Sequence, residues 1–401
     1  MKIFPLNLDR KRIREYMEKI GVDKEGIKIM LPKTDFRIFK IDKLSSYAAN
    51  ILKQEALSCG ADVAIRRDSI FRRVQTTALV FGTLSQLKKL IEKLAKQPFG
   101  LKEVSCKLEE LLKEKKKALF LRNRHLLLDK PCICGVINIT FDSFSGDGIL
   151  AQAQRERRKP QDLVLKKAER MIKEGAKIID LGAESSRPFS KPIREEEELK
   201  RLVPSLKVLR DEFKDIFISV DTYKYKVAKE AISYGADIIN DITALRKSPQ
   251  IISLIKKYNV GCILMHMKGT PQTMQIKPFY RDVIGEIAEF LEERVNFCLK
   301  RGIKKEQIMI DPGIGFGKRL EDNLRIINRL DEFKFLNLPV FLGISRKSFI
   351  GKILRIKIEE RLAGTLAALV LAALKGANIL RVHDVKEAVE AIRIVEAVKR
   401  F

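Results

Sequence analysis

The stretch IFISVDTYKYKVAKEAISYGADIINDI, residues 216–242, decides the fold. It opens on a short β-branched run ending in Asp221, passes through a segment of helical period, and returns to a second run, DIINDI (237–242). Continuous apolar runs of this kind suit strands buried on both faces, as in a parallel sheet wrapped by helices. The same unit recurs outward in both directions. CICGVIN (132–138) and KIIDLGA (177–183) precede it, and VGCILMH (260–266), QIMIDP (307–312), PVFLGIS (339–345) and NILRVHD (378–384) follow. With IFISVDT (216–222) and DIINDI these make eight strands. The segments between them are amphipathic: in the last, Ala388, Ile392, Val395 and Val398 share one face, while Glu390, Arg393 and Lys399 fall elsewhere. Eight even repeats over residues 118–401 predict an α/β chain closed into a (β/α)8 TIM barrel, a fold of about 250 residues. A doubly wound open sheet is the weaker alternative.

Residues 1–117 read differently. FRIFKI (36–41), DVAIRR (62–67) and TTALVFG (76–82) are strand-like, and Ser45 to Cys59 and Leu84 to Lys96 are helical, which predicts a small α+β domain of split βαβ type. A charged helix, Glu103 to Lys117, leads into the barrel. No motif in this front domain carries chemistry, so an interaction or structural role is expected of it.

The composition excludes several classes. The opening MKIFPLNLDRKRIREY lacks the apolar core of a signal peptide, and the longest apolar run, Leu366 to Leu374, is far shorter than a bilayer span of about 20 residues, so a cytoplasmic protein with no membrane partner is expected. Three histidines and six cysteines without a CxxC pair argue against structural zinc; Cys132 and Cys134, two apart in a strand, read as core. The net charge of +27 is unevenly spread: residues 1–117 hold 27 Lys and Arg against 15 Asp and Glu. Acids are interspersed and no basic block carries aromatics, so the field is read as drawing small anions and not as binding nucleic acid.

In a closed parallel barrel the active face is built by the loops after the strands. Asn138, Asp180, Asp221, Asn240, Asp241, His266, Asp311, Lys347, Arg381, His383 and Asp384 all close or follow strands. Turn-forming Asn and Asp account for one or two of these ends; several carboxylates with an Arg and a Lys on one rim point to a ligand that organises them. Arg381 and His383 are two apart and project to one side, suiting an anion. GISRKSFIG (343–351) offers Ser345, Arg346, Lys347 and Ser348 before a helix. DPGIGFGK (311–318) is not a Walker loop, because Pro312 stands where glycine is needed and Arg319 follows Lys318. The glycines mark a loop whose backbone can approach a ligand closely.

Taken in order, NITFDSFSGDG (138–148), GAESSRP (182–188), SVDTYK (219–224), INDI (239–242), IDPGIGFGK (310–318), SRKS (345–348) and RVHD (381–384) resemble the signatures of the dihydropteroate synthase family, over residues 118–401. The resemblance implies condensation of 6-hydroxymethyl-7,8-dihydropterin pyrophosphate with p-aminobenzoate, giving 7,8-dihydropteroate and pyrophosphate. It implies that Asp221, Asn240, Asp311 and Lys347 bind the pterin, that Arg381 lies on its face, and that Met265 and Phe316 line the pocket. Arg346, His383, Ser186 and Arg187 correspond to pyrophosphate residues, and Asn138 to a ligand of Mg2+. Lys347, Arg381, His383 and Arg187 would carry the catalysis, and Phe144, Pro188, Lys347 and Ser348 the p-aminobenzoate pocket. Phe141 before Asp142 and Gly146 before Asp147 depart from the family pattern, so either carboxylate could order the metal. The segment AQAQRERRKPQ (151–161) reads as a charged, disordered insertion. The family commonly forms homodimers. Two rival readings are a methyltetrahydrofolate:corrinoid methyltransferase, against which GISRKSFIG and RVHD count, and a silent barrel serving as a scaffold.

Overall fold

The computed structural model describes residues 3, 6, 8–70, 74–113, 117–141, 148–185 and 189–400. They form two units, Met1–Lys115 and Lys116–Phe401. The first unit opens with two short helices, α1 (Arg10–Lys19) and α2 (Lys24–Met30), each capped by an aspartate, Asp9 or Asp23. Its body follows a β-α-β-β-α-α order: β1 (Phe36–Ser45), α3 (Ser46–Ser58), β2 (Asp62–Ile65), β3 (Gln75–Thr83), α4 (Leu84–Leu94) and α5 (Leu101–Leu112). The strands make an antiparallel sheet in the order β1-β3-β2. Ser45 caps α3, and Thr83 with Gln86 forms a capping box on α4, so each helix starts where its strand stops. Leu52, Val63, Val80, Leu87, Leu90 and Leu94 fill the core between sheet and helices. The charged helix expected to reach Lys117 ends at Leu112.

The second unit starts with a hairpin the sequence did not announce, β4 (Ala118–Leu121) and β5 (Arg124–Leu127). Eight parallel strands follow: β6 (Cys132–Asn138), β7 (Ile178–Gly182), β8 (Phe217–Asp221), β9 (Ile238–Asp241), β10 (Gly261–Met265), β11 (Ile308–Asp311), β12 (Phe341–Gly343) and β13 (Ile379–Val382). They pair in the order β11-β10-β9-β8-β7-β6-β13-β12, and a parallel bridge between Ile310 and Val340 joins the two ends. The expected barrel therefore closes. The helices between strands are α6 (Ile149–Glu156) and α7 (Pro160–Lys173), then α8 (Glu195–Glu212), α9 (Tyr225–Ser233), α10 (Ile251–Tyr258), α11 (Val283–Lys300) and α12 (Leu320–Asn328). They end with α13 (Ser348–Leu354), α14 (Leu362–Leu374) and α15 (Val385–Arg400). The segment 151–161 is not disordered. It forms most of α6 and the start of α7, with Ile149 and Ala153 buried and Pro160 at the first turn of α7. On α15, Ala388, Ile392 and Val395 are buried as expected, but Val398 is 68% exposed.

Strand alternation sorts the barrel interior into layers. Cys132, Cys134, Ile178, Phe217, Ile238, Ile263, Met309, Phe341 and Ile379 form an apolar lower layer, closed beneath by Leu119, Leu121, Leu126 and Leu128 of the hairpin. Two residues further along the strands the same inward side carries Asp180, Asn240, Met265, Asp311 and Arg381. The hairpin is tied to the wall through Asp237, which is 1% exposed. Its carboxylate accepts from Arg124 Nη2 at 2.7 Å, from Arg210 Nη2 at 2.6 Å and from the Ile218 amide at 2.9 Å. Removing one partner of a buried ionic cluster strands the others. Asp237→Ala is expected to destabilise the barrel by about 3–5 kcal/mol, measured by urea unfolding, with turnover kept at low denaturant.

Candidate active site

The polar upper layer opens into a cavity lined by Asn138, Asp221, Asn240, Met265, Asp311, Phe316, Lys347, Ser348, Arg381 and His383, among others. Strand register brings them together: Asp221 pairs with Asn240, Met265 with Asp311, and Arg381 with Gly343. Arg381 Nε donates to Asp180 Oδ2 at 2.6 Å, and its Nη2 lies 3.5 Å from Asp221 Oδ2. Asn240 Nδ2 reaches the same Asp180 oxygen at 3.4 Å. Asp180 is fully buried, and its Oδ1 has no hydrogen-bond partner among the described residues. The sequence marked Asp180 as a strand end but gave it no task; its position two residues before Gly182, on the inward side, was the available signal.

Two carboxylates thus share one guanidinium in a poorly solvated layer. Burial, reinforced by the charge on Asp180, pushes Asp221 up to about 8. Burial opposes the charge on Arg381 as well, but Asp180 and Asp221 more than offset this and raise it. Burial also lifts Asp311 to about 6 and brings Lys347 down to about 8. A heterocycle presenting N–H donors to these carboxylates and an acceptor to the lysine would relieve each of these costs.

Two strands round the barrel from Arg381, after β11, stands the glycine-rich loop. Five successive carbonyls there each receive a different donor. Gly313 O takes the Phe316 amide at 3.1 Å, Ile314 O takes Lys347 Nζ at 2.7 Å, and Gly315 O takes Gln275 Nε2 at 2.8 Å. Phe316 O takes Lys318 Nζ at 3.0 Å, and Gly317 O takes Tyr280 OH at 2.8 Å. Gly313 and Gly317 have φ of 72° and 65°, and a Cβ on either would fall 2.0 Å from His266 O or 2.3 Å from Lys268 O. Only glycine allows this approach. Lys318 is buried against His266 Nδ1 at 3.0 Å; burial and that neighbouring cation drop His266 to about 2, so the ring is neutral. The result is a rigid wall holding the Phe316 ring 4.2 Å beneath Lys347 Nζ. One oxygen of Asp311 takes the Gly313 amide at 2.7 Å, which fixes the carboxylate's orientation.

At the far side of the cavity Ser345 Oγ lies 3.0 Å from His383 Nδ1, orienting the ring, a contact the sequence did not anticipate. Arg346 does not simply present itself to an anion. Its guanidinium is gripped on two nitrogens by Asp384, with Nε at 3.0 Å, so an incoming anion shares it with that carboxylate. Asp241 follows the bland reading: it points out of the barrel and accepts from Thr243 N at 2.6 Å and Leu245 N at 3.0 Å. Phe144, Ser186, Arg187, Pro188, Asp142 and Asp147 lie outside the described residues.

Three comparisons bear on this geometry. Residues 134–383 match the family described as "Pterin binding enzyme". A dihydropteroate synthase of Escherichia coli (strain K12) is 44% identical over 282 residues, covering 70% of this chain and 95% of that enzyme. The "Probable bifunctional folylpolyglutamate synthase/dihydropteroate synthase" of Halobacterium salinarum is 35% identical over 386 residues, covering 96% of this chain and 46% of that one. Among solved structures, a Yersinia pestis dihydropteroate synthase with a sulfonamide drug complex superposes with a TM-score of 0.66 at 40% identity, covering 71% of this chain and 99% of that chain.

The unusual titration of Asp221 gives a stability test. Its folded value, about 8, lies above the roughly 3.9 of an unfolded aspartate. The native state therefore holds the extra proton; its contribution is complete below about pH 4 and is lost as the pH rises through about 8. Asp221→Asn keeps the shape of the protonated acid. It is expected to raise Tm by about 2–4 °C over wild type near pH 8.5, with the gap closing towards pH 5. A lower Tm than wild type at the high pH would show that the ionised pair with Arg381 dominates.

Proposed function

We propose a mechanism from the premise that the chain belongs to the pterin-binding enzyme family, as a dihydropteroate synthase, a transferase of folate biosynthesis. It joins 6-hydroxymethyl-7,8-dihydropterin pyrophosphate to p-aminobenzoate, giving 7,8-dihydropteroate and pyrophosphate. The observation that carries the assignment of roles is the convergence of Asp221, Asn240, Asp311, Lys347 and Arg381 in one cavity.

In this reading the carboxylates of Asp221 and Asp311 accept from the pterin's amino and ring N–H groups, each such charged hydrogen bond contributing about 1.5–3 kcal/mol. Asn240 and Lys347 complete the edge contacts. Arg381, held flat by Asp180, covers the ring face as a lysine could not. Met265 and Phe316 supply the apolar floor. His383, with Nδ1 turned to Ser345, directs its other ring nitrogen to the diphosphate, joined by Arg346, Ser186 and Arg187. The C–O bond breaks with its electron pair leaving on the diphosphate. The arylamine nitrogen then donates its lone pair to the exposed methylene carbon and sheds a proton. No general base is required, because a neutral arylamine is already nucleophilic. Phe144, Pro188, Lys347 and Ser348 are assigned to the p-aminobenzoate pocket, where they exclude water from the cationic carbon.

Among the described residues no three His, Cys, Asp or Glu side chains form a metal cluster. Asn138 nonetheless fits a magnesium site: it ends β6, lines the cavity, and offers a neutral oxygen of the kind this ion accepts when phosphate oxygens and water fill the rest of its shell. Mg2+ held there would neutralise charge on the departing diphosphate. Two further proposals accompany the mechanism. One is a homodimer through the apolar cleft of α12, α13 and α14, where Leu324, Ile353, Leu354 and Leu371 are exposed. The other is the cytoplasmic setting expected from the sequence; no helix among the described residues is long and apolar enough to cross a membrane.

Lys347→Ala and Arg381→Ala are each expected to lower kcat/KM by at least about 100-fold with the far-UV circular dichroism unchanged. The assay follows pteroate and pyrophosphate from the two substrates with Mg2+. Near-normal rates in either variant would show that these roles are misassigned. Methyl transfer to a corrinoid in place of pteroate formation would favour the rival pterin-binding chemistry.

A further inference from the structure

At the edge of the substrate cavity, which Glu184 helps to line, lies a polar cluster that the mechanism above leaves unused. β7 and β8 pair with Gly182 opposite Asp221, so the residues just beyond each strand, Glu184 on one and Tyr223 and Lys224 on the other, emerge side by side. Glu184 Oε1 accepts from Tyr223 OH at 2.6 Å. Its Oε2 accepts from Lys224 Nζ and from the backbone amide of Ile193 at 3.1 Å. Lys224 Nζ also donates to the carbonyl of Ile193 at 2.8 Å and to Glu198 Oε2 at 2.6 Å. Both backbone polar groups of Ile193 are therefore held by side chains from two neighbouring strand ends.

The third member comes from the run Glu195 to Glu198 at the start of α8. Such a run suits the positive end of a helix. Only Glu198 of the four is buried, and it is turned inward onto Lys224. A buried and a half-buried carboxylate on one ammonium add little net stability compared with apolar packing, so a geometric role is the better explanation for such a cluster. What it fixes is the neck of the connection between β7 and α8. The departing arm, at Glu184, is bonded directly to the returning arm, at Ile193. Two further contacts hold the returning arm: Ser190 Oγ donates to Ser185 O at 2.6 Å, and the Phe189 amide donates to Pro271 O at 2.9 Å. The cluster also touches the pterin side of the cavity, because Tyr223 packs on the group formed by Ile242, Met265, Met267 and Met274.

We propose that Glu184 is a positioning residue for the condensation: it locks the neck of the loop between β7 and α8, and so governs use of the diphosphate and p-aminobenzoate. This rests on the mechanism above, in which that loop contributes to both. The pterin-binding groups Asn240, Asp311 and Arg381 sit on strands and are placed by sheet register, independently of the neck. Loss of the lock therefore weakens use of the second substrate and leaves recognition of the bare heterocycle intact.

The test uses the full chain with Glu184→Ala, Glu184→Gln and Tyr223→Phe. Steady-state kinetics are read beside the Kd of 6-hydroxymethylpterin, which lacks the diphosphate, by calorimetry. Glu184→Ala is expected to raise the KM for p-aminobenzoate at least about tenfold, with the pterin Kd within about twofold of wild type. Glu184→Gln, which keeps the acceptor for Ile193 but loses the charge on Lys224, should fall between, and Tyr223→Phe should shift KM least. If Glu184→Ala fails to fold, Glu184→Gln reads the same quantities. An unchanged KM for p-aminobenzoate would overturn the proposal. So would an equal loss of pterin affinity, which would mark the cluster as merely structural. Wild-type protein that binds the pterin but gives no p-aminobenzoate-dependent product would instead overturn the functional reading on which the proposal stands.

Discussion

One guanidinium between two carboxylates organises this barrel's working end. Arg381 reaches across the interior to Asp180 and towards Asp221, joining strands β13, β7 and β8 above an apolar layer that has no polar atoms to offer. Low polarizability below and restricted solvent above make each of these charges expensive alone and acceptable together. Burial raises Asp221, and the excess of carboxylate over cation in the layer, Asp180 above all, raises it further. A ligand rich in N–H donors and carrying an anionic tail complements that imbalance at both ends: donors to the carboxylates, and the tail towards His383 and Arg346.

The glycine-rich loop achieves rigidity by other means. Carboxylate and guanidinium hold their positions through charge, whereas the loop at 313–317 is held because every one of its carbonyls is occupied by a donor. Four of those donors are side chains, from Lys347, Gln275, Lys318 and Tyr280. Lys347 thereby serves two ends at once, fixing the loop and presenting itself to the cavity. Preorganisation of this kind favours a reaction in which the enzyme's task is to hold a cationic carbon and a leaving diphosphate in place, without proton transfer at the rate-determining bond.

The two arms of the connection after β7 present a third device, a buried ionic knot in place of a packed core. Glu184, Lys224 and Glu198 come from three successive elements of the barrel, and of the three only Glu184 also lines the cavity. In the proposed mechanism strand-borne groups recognise the heterocycle, and knotted connections govern what approaches it. Barrels can separate these tasks because strand register and loop geometry are set by different interactions.

Local pattern in the chain was enough to give the eight strands, the closed barrel and several of the cavity's polar residues, Asn138, Asp221, Asn240, Asp311, Lys347, Arg381 and His383 among them, but not Thr140, Glu184, Ser185 or Gln275. Apolar runs mark strands buried on both faces, and polar residues that end them gather at the active face unless, like Asp241, alternation turns them outward; both are properties of consecutive residues. The hairpin at 118–127 escaped because Arg122, Arg124 and His125 give it the look of a solvated linker, and only Asp237 and the barrel floor explain them. The helical turns of α6 within 151–161 escaped because their charges outnumber the buried anchors, Ile149 and Ala153. The partners of Asp180, Arg346 and Glu184 were out of reach altogether. Asp180 meets Arg381 across 201 positions of sequence, and Arg346 meets Asp384 across 38. Alternation within a strand determines that a side chain points inward. Which other side chain it meets there depends on closure and register of the whole sheet, and these are fixed only when all eight strands are in place.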